Sequence, residues 1–397
     1  MMIDRTVIVV LGMMGQTPYA GVAWQVLHYL EGFRGLGYEV YYVEDTGDWP
    51  YDPIQNTVTD DCRYTTAYLA RIMDWWGEPH RWAYRSSADG EVYGMGEPRL
   101  TELFRQAGIL VNLSGATVLR PHHLQVPVRI YLETDPVLPQ IEVAQNRTFT
   151  IDLLSAHTHH FTFGENLGAA DCGVPIGRFH YYPTRQPIVL DWWAGPSSRP
   201  HEGAFTTIGN WRQMGKDVEW NGDTYFWSKH HEFLKCLDLP RHTKQRLEVA
   251  LSQVDAEAID LLTSHGWTVV DGARLSIDMN PYRDYIQGSR GEFTVAKDQN
   301  IRLRSGWFSD RSACYLAAGK PVITQDTGFG AILPTGEGLF SFGALSDAQA
   351  ALETINADYH RHSSAARRIA ETYFRAETVL RDMMDTVGAS PWARSAI

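Results

Sequence analysis

Short apolar runs recur along the chain, each closed by glycine or polar residues and followed by a helical repeat. Residues 6–11 (TVIVVL) have the near-continuous apolar pattern of a parallel strand buried on both faces. A glycine-punctuated loop over 12–21 leads to Val22, Val26, Leu30 and Phe33 at helical spacing. Gly35 and Gly37 stop that helix, and 38–43 is a second strand. Strand, glycine loop, helix, strand implies a right-handed crossover on a parallel sheet. Further strands are expected at 109–113, 128–132 and 159–163, each ending in small or polar residues, as strand ends that face a ligand crevice do. Residues 49–96 are rich in Tyr, Trp, Pro and charge, with one long helical pattern near 62–75.

The segment 181–188 holds two prolines and reads as a linker. Beyond it come an apolar start at 205–208, a helix at 226–237, a strand at 247–251, a helix at 256–265 and a strand at 267–270. Amphipathic helices are expected at 347–356 and 365–373, with a final one near 377–387. The pattern therefore predicts an α/β fold of two Rossmann-like domains. Residues 1–185 form the first, 186–375 the second, and 376–397 the returning C-terminal helix.

Length changes this picture little, since 397 residues suit two domains and a 44% apolar content supplies both cores. No apolar run is long enough to span a bilayer, and the apolar start is too short for a signal-peptide core. Cys62, Cys172, Cys236 and Cys314 lie far apart with no C-x-x-C pair, against a zinc site or a disulfide framework, so a cytoplasmic protein is the expectation. A formal charge of −12 makes general nucleic-acid binding a poor fit. The 13 Trp and 19 Tyr suit sugar-binding faces, though most are expected in cores and the domain interface.

Residues 305–342 carry the most chemistry. Ser309 and Asp310 are helix N-cap types, and Ala313, Leu316 and Ala317 give the following run a small apolar face. Gly319 ends it, Lys320–Pro321 turns the chain, 322–324 is a short strand, and Asp326-Thr327-Gly328 opens a loop. A helix N-terminus offers unpaired N–H groups and partial positive charge, a ready phosphate site. The order D-R-S, helix, A-A-G-K-P-V-I, D-T-G resembles the donor domain of GT-B glycosyltransferases, nearest to the retaining, GT4-like and spore-maturation-protein (CgeB-like) groups. The resemblance is specific over about 292–342 and moderate around 209–216. It implies two Rossmann-like domains facing across a cleft, and transfer of a sugar from a nucleotide-sugar donor to an acceptor hydroxyl. One departure is plain: where those enzymes carry a ribose-binding Glu, this chain has Cys314, and Asp310 is the nearest substitute.

On that resemblance the donor-binding candidates are Gly15, Gln16, Thr17 and Gly21 in the first loop, and Arg212 and Lys216 in an element similar to the family's diphosphate-gripping "G-R-L … K-G". Arg304, Ser309, Asp310, Arg311, Ser312, Thr327 and Gly328 complete the set. Read without the resemblance, the loop glycines serve a tight turn, and Arg212 and Lys216 are two exposed cations. Glu133 and Asp135 sit two apart at a strand end. Either is a candidate to take the acceptor's proton or stabilise charge at the anomeric carbon, Asp135 preferred, and the plainer alternative is a pair of loop carboxylates capping the next turn. His28, His122 and His123 are lesser candidates. No D-x-D element sits at a strand end, so no metal or other cofactor is expected.

The alternatives are a sugar-nucleotide epimerase or hydrolase, and a non-catalytic nucleotide-sugar-binding protein. A modified-base DNA transferase is a remote further one. A dehydrogenase is another, because Glu44-Asp45 ends the second strand where a Rossmann enzyme holds a ribose. Sugar, nucleotide, acceptor, stereochemistry and oligomeric state are not legible.

Overall fold

The computed structural model describes residues 6–195 and 203–389. Two parallel sheets organise it. The first has eight strands, and residues 7–183 supply all of them. Its order is Tyr181–Pro183, His159–Thr162, Val128–Glu133, Ile109–Leu113, Val7–Leu11, Glu39–Glu44, Trp82–Arg85 and Val92–Gly94, and only the last pair is antiparallel. The second has six parallel strands: Thr268–Asp271, Leu247–Ser252, Phe205–Asn210, Gly291–Thr294, Val322–Gln325 and Leu339–Phe342. The order reverses beside Val7–Leu11 in the first sheet and beside Phe205–Asn210 in the second. In open α/β sheets those reversal points are where crevices form.

Three segments depart from the sequence reading. Residues 181–183 are the edge strand of the first sheet rather than linker, because an edge position tolerates Pro183. The helix expected over 226–237 is shorter, His230–Lys235, preceded by the antiparallel hairpin Val218–Trp220 and Asp223–Tyr225. Within 49–96 the chain forms the strands Trp82–Arg85 and Val92–Gly94 as well as the helix Arg63–Trp75.

The two lobes share one apolar core. Trp24, on the helix Ala20–Gly35, packs against Trp75, Trp192 and Trp193, and its indole N–H donates to the Met279 carbonyl of the second lobe at 3.1 Å. The helix Ala376–Thr386 lies on the same first-lobe helix at Gly32, and the backbone of Ile188 bonds Phe374 and Ala376. A methyl at Gly32 would strike Leu380 Cδ1 and stand 3.1 Å from Ala376 Cβ, so this crossing needs a residue without a side chain.

Gly32→Val should therefore destabilise the protein by about 1–3 kcal/mol in urea unfolding. Gly35→Ala, where the nearest atom to the added carbon is 3.9 Å away, should be neutral or gain up to about 1 kcal/mol.

Candidate functional site

The C-terminal edges of the two sheets face each other across a cavity of about 640 Å³. From the first lobe it is lined by Met13, Thr17 and Gly21, by Ser114, and by Glu133, Thr134 and Asp135; the second lobe contributes Ile208 to Asn210, Lys216, Asp310 and Arg311. A smaller cavity of about 200 Å³ continues beneath the start of the helix Asp310–Ala317, where Lys229, Lys297 and Ser309 join the lining.

The first loop is shaped from below. The Tyr42 hydroxyl accepts from the Met14 N–H at 2.8 Å and donates to Glu44 at 2.7 Å; Glu44 in turn accepts from the backbone N–H groups of Gly15, at 2.8 Å, and Gln16. Burial lifts the Glu44 carboxyl to about 7, against those hydrogen bonds. A side chain at Gly15 would sit 2.8 Å from Leu69 and Thr65. Gly15 and Gln16 thus have their amides committed to Glu44; of the two acidic residues behind the dehydrogenase alternative, Glu44 is engaged by this loop and Asp45 by Arg120 at 2.9 Å and Arg85 at 3.4 Å. Thr17 and Gly21 do reach the cavity.

Glu133 is buried at its strand end. Gln140 Nε2 donates to both its oxygens at 2.8 Å and Thr162 Oγ1 to one at 2.5 Å, while burial raises its carboxyl to about 8. Gln140 Oε1 also accepts from the Val137 N–H at 2.7 Å. Val137 holds φ 95, a strained value for a β-branched residue, and the loop between carries Asp135 into the cavity. Asp135 Oδ1 meets Lys297 Nζ from the opposite lobe at 2.7 Å.

The second lobe presents the cations. Lys297 is 5% exposed, and its ammonium lies 3.0 Å from the centre of the Trp227 ring. Desolvation lowers it to about 8 despite Asp135. Lys229, which caps the helix His230–Lys235, has its ammonium 5.1 Å from the Trp307 ring centre; desolvation, then the charges of Arg311 and Lys297, lower it to about 7. Sequence reasoning missed Lys229, because it lay inside an expected helix, and named Lys297 only as nearby positive charge. The signal was the break at Trp227-Ser228, which separates the hairpin from the shortened helix.

Arg311 lines the cavity, but its guanidinium points into the fold. Nε donates to the buried Glu292 at 2.6 Å, Nη1 to the Ile208 carbonyl at 2.5 Å, and Nη2 to Thr294 Oγ1 at 2.9 Å. It ties together the two strands that flank the reversal point. Ser309 is the extended N-cap with no side-chain cap bond, so side-chain capping leaves the amide end open toward the cavity. Asp310 stands at that end; burial lifts its carboxyl above the usual carboxylate range, opposed by the Arg311 charge and backbone N–H.

The remaining candidates lie elsewhere. Arg212 pairs with Asp255 at 3.2 Å on the surface, and neither cavity includes it, whereas Lys216 reaches the rim with its ammonium 4.7 Å from the Trp227 ring. Ser312 is buried within its helix. Cys314 Sγ is 3.9 Å from His28 Nε2 of the first lobe, so the expected ribose position serves interlobe packing. Arg304, Thr327 and Gly328 form an interlobe junction away from the cavity. There Asn166 Nδ2 donates to the Arg304 carbonyl at 2.9 Å, Arg304 pairs with Asp171 at 2.8 Å and Asp326 at 2.9 Å, and Thr327 Oγ1 donates to the Trp307 carbonyl at 2.6 Å. A Cβ added at Gly328, φ 92, would stand 3.1 Å from Asn166 Nδ2.

Asp45, His122 and His123 are the one potential metal-ligating group among the described residues. Arg120 already pairs with Asp45 at 2.9 Å. His123 Nδ1 accepts the Arg120 N–H at 3.1 Å, and burial, followed by His122, holds its pKa near 3. The neutral ring therefore carries its proton on Nε2, the atom facing Asp45, and has no lone pair there for a metal.

No family model matches the sequence, and no curated protein matches it. Solved structures do. HepE of Anabaena, in complex with UDP-glucose, superposes with a TM-score of 0.60 at 10% identity, over 97% of this chain and 100% of that one. Sucrose-phosphate synthase of Thermosynechococcus elongatus gives 0.53 at 12%, over 96% and 98%. A candidate UDP-N-acetylglucosamine 2-epimerase of Listeria monocytogenes gives 0.51 at 9%, over 98% and 99%. The chain has the GT-B glycosyltransferase fold, two Rossmann-like domains facing across a cleft.

If Arg311 chiefly ties the reversal-point strands, Arg311→Met should cost about 3–5 kcal/mol by stranding the buried Glu292 charge. Adding Glu292→Gln should recover much of that loss in urea unfolding; a double variant as unstable as the single would overturn the pairing.

Proposed function

We propose that the protein is a glycosyltransferase moving a sugar from a nucleoside-diphosphate sugar to an acceptor hydroxyl. The observation that carries this reading is the pair of poorly solvated lysines, Lys229 and Lys297, beside an uncapped helix N-terminus in a cavity between the lobes. Poorly solvated ammonium groups and a helix start whose N-cap side chain makes no cap bond together suit a diphosphate, which gives the ammonium groups anionic partners. The UDP-glucose complex of HepE favours a uridine nucleotide.

In the reaction, the acceptor oxygen bonds the anomeric carbon as the bond from that carbon to the diphosphate oxygen breaks. The diphosphate leaves with the electron pair, and Lys229, Lys297 and the helix amides stabilise it. The acceptor proton goes to Asp135, whose Oδ1 is steadied by Lys297. Thr17, Gly21, Lys216, Ser309 and Asp310 line the donor's surroundings in this reading, while Glu133 sets the loop that presents Asp135. Gly15, Gln16, Arg311 and Ser312 support the walls. An epimerase or hydrolase remains the second reading, favoured by the epimerase candidate among the similar folds. Incubating donor without acceptor separates them: conversion or hydrolysis as fast as transfer would select the second.

Calorimetric titration with UDP, GDP, ADP and dTDP tests the donor site. Micromolar binding of one, UDP by expectation, supports it; millimolar or weaker binding of all four would overturn it. Because Lys229 and Lys297 titrate near 7 and 8 in the free protein, a bound diphosphate raises both values. UDP binding should take up protons between those values and weaken as pH rises through 8, above the second phosphate ionisation at about 6. Lys229→Met should reduce the proton uptake and weaken UDP binding at least about tenfold, the scale of one charge-assisted hydrogen bond.

Asp135→Asn should lower kcat about 10²–10⁴-fold while UDP affinity is retained or tightened, since Lys297 loses its competing carboxylate. A kcat within about threefold of wild type would remove Asp135 from the mechanism.

A further inference from the structure

Beside the main cavity lies a second chamber of about 570 Å³, between a first-lobe hairpin and second-lobe loops. The hairpin is the short antiparallel pair Tyr51–Asp52 and Thr57–Val58, and the facing loop spans 252–255. Tyr19 and Ser252 line both spaces, so the chamber opens directly onto the cleft. We propose that this chamber binds a neutral oligosaccharide as the acceptor. The proposal rests on the transferase reading and names the class of its second substrate.

Three observations point to that chemistry. The first is aromatic: the rings of Tyr19 and Tyr51 stand 5.8 Å apart at 34°, giving the chamber ring faces on which the C–H side of a pyranose packs. The second is the polar lining. Asn56, Ser252 and Gln253 contribute amides and a hydroxyl, and Tyr51 Oη already orients the Asn56 side chain through a 2.5 Å bond to Oδ1, leaving the Asn56 NH₂ as a donor. The third is charge. Asp255 is the chamber's charged lining residue, and it is engaged by Arg212 at 3.2 Å. Among the described residues no cation lines the chamber to meet a phosphate or carboxylate. Its aliphatic contribution, Pro53, Val254, Ala273 and Ile277, is too little to hold a lipid tail.

Topology supports the same assignment. One flank of the cleft is closed by the tryptophan seam around Trp24. Another is closed by Val137 and Ile141 packed with Val218, Tyr225 and Leu303 of the opposite lobe. The chamber lies on neither flank. Asn56 and Gln253 both hold φ 54, and each projects a polar side chain from the left-handed region.

The same φ values supply a fold-safe test, because glycine is at home there. Saturation-transfer NMR on the full chain, with UDP present, would be run against neutral gluco-, galacto-, manno- and N-acetylglucosamine-type oligosaccharides, with acidic oligosaccharides alongside. Binding of a neutral oligosaccharide is expected. Asn56→Gly combined with Gln253→Gly should weaken that binding at least about tenfold, with UDP affinity unchanged. Tyr51→Ala should do the same. With UDP bound normally, absence of any neutral hit, preference for acidic glycans, or undiminished binding in the glycine double variant would each overturn the proposal. Failure of UDP itself to bind would instead count against the transferase reading.

Discussion

An ammonium group taken out of water loses solvation that only an anion or a ring face restores. The cleft holds two such groups. Lys297 has Asp135 and Trp227; Lys229 has the Trp307 ring and, among the described residues, no carboxylate at ion-pair distance. Glu292, the obvious anion nearby, is already taken by Arg311. Asp310, the remaining carboxylate beside the helix start, has its own carboxyl lifted by burial. Desolvation is what lowers both lysine pKa values, and a diphosphate is the kind of ligand that restores the lost solvation. The surrounding architecture holds these groups in place: switch-point strands tied by Arg311, a helix start without a side-chain cap, and a strained loop that brings Asp135 across.

The two carboxylates at the end of Val128–Glu133 divide the work by environment. Glu133 is surrounded by donors from Gln140 and Thr162 and sits too deep to meet a substrate hydroxyl freely. Asp135 is over one-third exposed. Gln140 links the two, since its amide nitrogen holds Glu133 and its oxygen holds the Val137 amide. The strain at Val137 is compensated by burial against the opposite lobe, so the geometry of Asp135 depends on the lobes being together.

Much of the fold was legible because buried parallel strands are written as apolar runs and their crossovers as helical repeats. The helix start at Ser309-Asp310 was legible from cap chemistry. What escaped were features set by long-range packing. Lys229 is distant from Lys216 in sequence because a hairpin intervenes, and only the folded chain shows that Lys229 lies beneath the helix start while Lys216 stays at the rim. Arg304, Thr327 and Gly328 carry phosphate-site residue types, yet tertiary contacts commit them to Asn166, Asp171 and the Trp307 carbonyl. Gly15 and Gln16 look like a phosphate loop until Glu44 is seen beneath them. A residue's type limits the chemistry it can perform, but its partners decide whether it is free to do so.

The position of Cys314 follows the same logic. A carboxylate there would stand beside His28, in the interlobe core rather than in water. His28 is held neutral by burial, with its pKa near 3, and receives the Val189 N–H at Nδ1. It offers no positive charge to offset an anion. Here the helix has been drawn against Ala20–Gly35 closely enough that a small apolar thiol fits where a charged group would not. Tight lobe packing therefore favours a thiol over a carboxylate at this turn of the helix. On the proposed function, hydrogen bonds to a nucleoside come from the open side of the cleft, where Asp310 stands at the helix start.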